Sequence, residues 1–279
     1  MESAPARSPG ASDGRDPGPP LLGPGDPPPV RIVHPGGKAS VLVVCDHAAN
    51  AVPRALGTLG LDPARLAEHI GWDIGAAAVA ERLAQRLDAP SISTGFSRLV
   101  IDCNRAFNDP SLIPEVSDNV PVPGNRGLRT AEREARIAAF HRPYHEAITE
   151  CVAGFGRRGI VPAIVSIHSF TPRMNGEDRP WHVGVLWDRD PRMALPLIAN
   201  LAQGGGIAVG DNQPYSARSP QGYTMAQHAL AHGLPHVLIE IRQNEIADDA
   251  GAERYADLIE RALRPILADP QLYRTAFYP

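Results

Sequence analysis

The sequence predicts an α/β protein: a single three-layer domain built on a central, mixed but mostly parallel sheet. Three observations carry this prediction. Short apolar runs rich in β-branched residues recur along the chain, with the composition of strands buried on both faces. Longer segments with helical apolar spacing alternate with them. The strong apolar runs also end in, or enclose, polar side chains, and in open α/β sheets ligands bind at the carboxyl ends of the strands.

Composition narrows the class further. Of 279 residues, 43% are apolar and 21% charged, as in globular domains. A net charge of -4 gives no electrostatic footprint for nucleic acid or an anionic membrane surface. No run approaches the roughly 20 apolar residues that span a bilayer. Cys45, Cys103 and Cys151 are odd in number and widely separated, so they read as free thiols in a reducing compartment, and a cytoplasmic location is expected. Residues 1–30 hold 9 prolines and 5 glycines. Such a stretch buries too little apolar surface to offset its ordering entropy, so a disordered tail is expected there, with residues 31–279 as the domain.

Taken in order, residues 30–34 read as an edge strand closed by Pro35-Gly36-Gly37. Residues 40–45 (SVLVVC) are the first core strand, stopping at Asp46, His47 and Asn50, with Pro53 forbidding a simple continuation. Asp62 followed by Pro63 starts a short helix. Residues 74–87 (IGAAAVAERLAQRL) form an amphipathic helix with Asp73 placed to cap it. Residues 91–94 and 98–102 (RLVID) read as strands, the second running into Cys103-Asn104-Arg105. Residues 106–128, rich in Pro, Asn and Gly, read as a long ordered loop of the functional kind. A long helix over 130–152 should break near Arg142, because Pro143 lies inside it. Strands follow at 160–167 (ending at His168-Ser169), 183–187 and 207–209, with a helix over 192–203 between the last two. A short helix at 225–232, a final strand at 237–241 (VLIEI, enclosing Glu240) and a terminal helix at 250–267 complete the chain.

The chemistry is expected where polar side chains meet buried strands. His47 and His168 stand at the mouths of two apolar runs, and Glu240 lies inside a third, where an unpaired carboxylate is costly. Two histidines and a carboxylate leave a fourth tetrahedral position open on zinc, the pattern of a hydrolytic site. Nucleophilic alternatives are weaker: Ser169 lacks the GxSxG setting, and Cys45 sits within its strand. His69, His182 and His228 read equally as surface or core residues.

Four segments together resemble the N-formylglutamate amidohydrolase family, within the zinc carboxypeptidase-like hydrolases: CDHAANAVP (45–53), GWDIGAA (71–77) with SRLVIDCNR (97–105), SIHSFTP (166–172) and IEIRQNEI (239–246). The resemblance spans about 38–265 and implies a phosphorylase/hydrolase-like scaffold. It implies that His47 and His168 bind Zn2+, or another divalent ion, and that Glu240 is the general base and acid. It further implies that Asn104 and Arg105 hold the substrate carboxylate, with Arg98, Ser169 and Arg242 nearby. Where carboxypeptidases place a glutamate three residues after the first zinc histidine, this chain has Asn50. The third ligand must therefore come from elsewhere: Asp73, in line with the family, with Asp46 in reserve and Asn50 either supporting the ligands from behind or contacting the substrate. The implied activity is hydrolysis of the amide bond of an N-acyl amino acid, foremost N-formyl-L-glutamate. A metal carboxypeptidase, another deacylase, and a carboxylate-binding protein that has lost its metal are the alternatives. The expected partner is a small-molecule substrate.

Overall fold

The computed structural model describes residues 20–204, 206–218 and 222–278. Its strands are β1 (Val30–Val33), β2 (Val41–Cys45), β3 (Ser91–Thr94), β4 (Val116–Ser117), β5 (Val120–Pro121), β6 (Ala163–Phe170), β7 (Arg173–Met174), β8 (Glu177–Asp178), β9 (Val183–Leu186), β10 (Val209–Asp211) and β11 (His236–Arg242). Its helices are α1 (Pro63–Leu66), α2 (Ala76–Leu87), α3 (Thr130–Arg136), α4 (Arg142–Arg157), α5 (Pro191–Gln203), α6 (Tyr223–His228) and α7 (Asp249–Leu267). Seven strands form one sheet in the order β1-β3-β2-β6-β11-β9-β10. Strands β3, β2, β6 and β11 run parallel, while β1 and β9 are antiparallel to their neighbours β3 and β11. The sheet is thus mixed and mostly parallel, as the alternating sequence pattern predicts. No helix among the described residues is long and apolar enough to cross a membrane.

Strict alternation sorts each core strand between two apolar layers. Val41, Val43 and Cys45 of β2 join α2, α5 and α7 on one face, while Leu42 and Val44 join α4 and α6 on the other. In β6, Ala163, Val165 and Ile167 take the first face, and in β11 Val237, Ile239 and Ile241 do the same. His168 and Glu240 therefore share the α4/α6 face, and they are direct register partners on adjacent strands. All three thiols are free; Cys45 and Cys103 are buried.

Several elements differ from expectation for identifiable reasons. Residues 98–100 are a turn and 101–102 irregular backbone, so the segment is not a strand. Leu99, Val100 and Ile101 are buried, but in a third apolar cluster outside the sheet. The carbonyls of Leu99 and Val100 are taken by the side chains of Asn125 (2.8 Å) and Arg136 (3.0 Å) instead of a neighbouring strand. The break near Pro143 takes the form of a π-helical turn over Ile137–His141, in which the Arg142 N–H reaches back to the Ile137 carbonyl. This looser turn absorbs the crowding that proline imposes on the preceding backbone. Strand β6 continues to Phe170, past the predicted end, and β10 lies at Val209–Asp211. Of the expected tail, residues 1–19 lie outside the described residues. Leu21 and Leu22 instead pack on the third cluster, and Asp26 accepts the Arg54 N–H at 3.0 Å.

Candidate metal centre and catalytic cleft

His47 follows β2 and His168 sits in β6, and their rings meet edge to face with centroids 5.0 Å apart. Asp73 lies on the turn before α2, tied to the first segment by its own N–H, which donates to the His47 carbonyl at 3.0 Å. This turn requires glycine at position 75: φ is +80°, and a Cβ there would stand 2.1 Å from the Ile246 carbonyl oxygen. The helix cap is Gly75, and Asp73 does not cap α2 with its side chain. Its Oδ2 faces Nδ1 of His168 at 2.8 Å and Nδ1 of His47 at 3.3 Å. Ser169 steadies it, donating its N–H to the same oxygen (3.2 Å) and its hydroxyl to the Ile74 carbonyl (2.9 Å). Ligand atoms of His47, Asp73 and His168 lie within 4.8 Å of one another, and all three residues are buried, so the cluster can hold a metal ion.

The far side of each imidazole is fixed by a further carboxylate. Asp102 pairs with Nε2 of His47 at 2.7 Å, and Asp46 with Nε2 of His168 at 2.9 Å. An Nε2–H held in this way leaves Nδ1 as the lone-pair side, facing the cluster. Asp46 is held in turn by the hydroxyls of Tyr144 (2.8 Å) and Thr224 (2.6 Å). Asp102 is clasped by Arg98, whose Nη2 stands 2.6 Å away, while Arg98 Nη1 lies 3.6 Å from Asp73.

Electrostatics follow from this packing. Burial opposes ionisation of Asp46, yet the hydrogen bond and charge of His168 bring its carboxyl down to about 2. Burial likewise opposes ionisation of Asp73 and Asp102, but the histidines, and Arg98 for Asp102, hold both low. His168 is raised well above its ordinary value, because Asp46 and Asp73 outweigh burial. His47 is raised too, with Asp102 and Asp73 overcoming burial and the Arg98 cation. Glu240 behaves oppositely: burial lifts it to about 7 against the pull of His168. Its Oε2 is buried with no hydrogen-bond partner.

These groups open into a cavity of about 450 Å³. His47, Asp73, His168, Glu240, Arg98, Asn104, Arg105 and Ser169 all line it. Arg98 enters from a turn, four residues before Asp102, and not from a strand. His141 and His145, one turn apart, bond the carbonyls of Arg105 (2.9 Å) and Cys103 (2.8 Å), and so straddle Asn104. His145 Nδ1 meets His228 Nε2 at 2.8 Å; burial lowers them to about 3 and about 4 respectively. From the other side, the N–H of Thr224 donates to Asn104 Oδ1 at 3.0 Å. The loop over 106–128 reaches the cavity through Asp118, which pairs with His69 at 2.9 Å.

Two expected contacts are not brought in. Arg242 turns away to Glu245 at 2.8 Å and to the carbonyls of Arg179 and Pro180, because a 3-10 turn starts at Gln243. Asn50 does not line the cavity. The Thr94 hydroxyl accepts the Ala48 N–H and donates to the Asp46 carbonyl, and beyond this point Ala51 and Val52 pack on the third cluster. His182 accepts the Ala208 N–H outside the cleft. Sequence reasoning missed Asp102, hidden in an apparent strand, and the supporting role of Asp46. The four-residue spacing of Arg98 and Asp102, natural for a helical turn, was the available signal.

A buried cluster able to hold a metal, beside a buried carboxyl poised near neutrality, defines a hydrolase site on an α/β scaffold. Residues 39–247 match the model of the N-formylglutamate amidohydrolase family. The chain belongs to that family and is a hydrolase acting on amide C–N bonds. The solved structure of an Agrobacterium tumefaciens gene product is 36% identical, with a TM-score of 0.86, covering 89% of this chain and 98% of that one. An N-formylglutamate amidohydrolase from Ralstonia eutropha JMP134 shares the fold at 24% identity and a TM-score of 0.66, covering 85% of this chain and 97% of that one. No curated protein sequence matches the chain.

Proposed function

We propose that the protein is a zinc-dependent amidohydrolase that cleaves the amide bond of an N-acyl amino acid, with N-formyl-L-glutamate the first candidate. The observation that carries this reading is the convergence of His47 Nδ1, His168 Nδ1 and Asp73, with a carboxylate behind each imidazole. Two nitrogens and one carboxylate oxygen fit a catalytic zinc, which keeps a position for substrate or water. His47, Asp73 and His168 would hold the ion; when bound, it supplies Lewis-acid activation of the scissile carbonyl and of the attacking water.

The remaining work falls to the chain's own residues. Glu240, lifted to about 7, is matched to accept a proton from the attacking water and return it to the leaving nitrogen. Its unpartnered Oε2 is available for that exchange. The C–N bond breaks, giving a carboxylic acid and a free amino acid. Arg105 and Asn104 are assigned to the substrate carboxylate, for which a planar guanidinium is well shaped. Arg98, held by Asp102, presents a fixed positive charge beside the scissile carbonyl.

Metal analysis of the purified protein and its variants tests the reading. Zinc is expected at one per chain in wild type and to be lost in His168→Ala. Glu240→Gln should keep the ion while kcat on N-formyl-L-glutamate falls by about 10²–10⁴-fold. Wild-type protein without affinity for zinc would overturn the assignment.

A further inference from the structure

Beyond the catalytic groups the cavity reaches toward His69 and Asp118 and also along β11. Alternate residues of β11, namely His236, Leu238 and Glu240, all line it. At about 3.3 Å per residue, this face runs about 13 Å from Glu240 to His236. Leu238 is the register partner of Leu186 on β9, and the two leucines form the floor. Met225 of α6 and Leu230 just beyond it supply the apolar side chains opposite. Leu186, Leu238 and Met225 keep only 5%, 7% and 8% exposure. Of the charged groups lining this side, Asp188 is partly exposed and Arg218 exposed, and the floor between Glu240 and His236 is formed by Leu186 and Leu238.

A formyl group carries only hydrogen beyond its carbonyl carbon and fills none of this arm. The second carboxylate of glutamate, laid on Leu186 and Leu238, would lose its hydration against an apolar floor, and the Arg218 cation that also lines the cavity is exposed, away from that floor. We infer that the trench along β11 beneath α6 receives an apolar chain of the substrate, so that among N-acyl amino acids turnover improves as such a chain lengthens. This inference rests on the amide-hydrolysis reading above. The chain can be supplied by the acyl group or by the amino acid side chain, and the experiment separates the two.

Zinc-loaded protein is assayed on two series beside N-formyl-L-glutamate. One series is N-formyl alanine, norvaline and norleucine; the other is N-acetyl, N-butanoyl and N-hexanoyl alanine. In one series kcat/KM is expected to rise by about threefold or more per added methylene, and the series that responds identifies the end that enters the trench. Calorimetric titration of the same compounds into Glu240→Gln should give a heat capacity change that grows more negative with chain length in that series. Turnover of N-formyl-L-glutamate with flat or falling values in both series overturns the trench assignment. Absence of hydrolysis across all compounds overturns the amide-hydrolysis reading instead.

Discussion

Replacing Asp102 by asparagine probes the support of the proposed metal centre without touching a proposed ligand. Asp102 Oδ1 accepts from His47 Nε2 at 2.7 Å and from the Asn104 N–H at 2.9 Å, and an amide oxygen can keep both bonds. The charge is what disappears. Losing the carboxylate behind a metal-binding histidine typically weakens binding 10–100-fold, about 1.4–2.7 kcal/mol. A second loss adds to the first. Arg98 donates to Asp102 Oδ2 at 2.6 Å; deprived of that partner, it is drawn to Asp73, already 3.6 Å away, and competes with the ion. The effect should therefore fall in the upper part of the range, about 50–100-fold. Competition titration against a chromophoric zinc chelator at alkaline pH measures it, where protons do not contend for Nδ1. Asp46→Asn, behind His168, should weaken binding comparably. A zinc Kd within about twofold of wild type, in protein that melts normally, would show that the rear carboxylates do not tune the site.

Other consequences follow from the same geometry. In chelator-treated protein, the raised pKa values of His47 and His168 mean that the folded state binds protons more tightly than the unfolded one. Their stabilisation is complete below about pH 6.5 and lost as pH rises through the folded values. Zinc needs the deprotonated Nδ1 atoms, so the gap in Tm between zinc-loaded and chelated protein should widen from about pH 6 to pH 9; a gap that narrows contradicts the assignment. Arg136 is buried and bonded to the Val100 and Gly124 carbonyls and to Asn125 Oδ1. Arg136→Met should cost about 3 kcal/mol by orphaning those acceptors, and a denaturant melt indistinguishable from wild type refutes this. His145→Phe frees the Cys103 carbonyl and loosens the Asn104–Arg105 segment. It should raise KM by about tenfold while changing kcat less, so a pure kcat loss would remove that segment from substrate binding.

Much of the site was legible because burial makes certain residues conspicuous. An acid inside VLIEI and histidines at the ends of β-branched runs are expensive unless they do something; that His168 and Glu240 are register partners on adjacent parallel strands was decided by the fold. Asp73 was legible only through family resemblance, since a helix cap explained it equally well. The supporting groups were not legible. Asp102 sits in a run whose apolar character is satisfied by a third cluster, and only the acceptor demands of Leu99 and Val100, met by Asn125 and Arg136, reveal a turn. Arg242 shares a strand face with Glu240, but a turn three residues long gives it Glu245 instead.

The sequence by itself determined the α/β class, most of the order of core strands and helices, and His47, His168 and Glu240 as polar side chains set at or inside buried strands, because periodicity and burial are local properties of the chain. Which nitrogen of each histidine faces that cluster, which carboxylate stands behind it, and how far the cavity runs along β11 were decided only in the tertiary structure. Those outcomes depend on contacts between segments distant in the chain, as Asp46 and His168 are at 122 positions apart, and no local pattern encodes them.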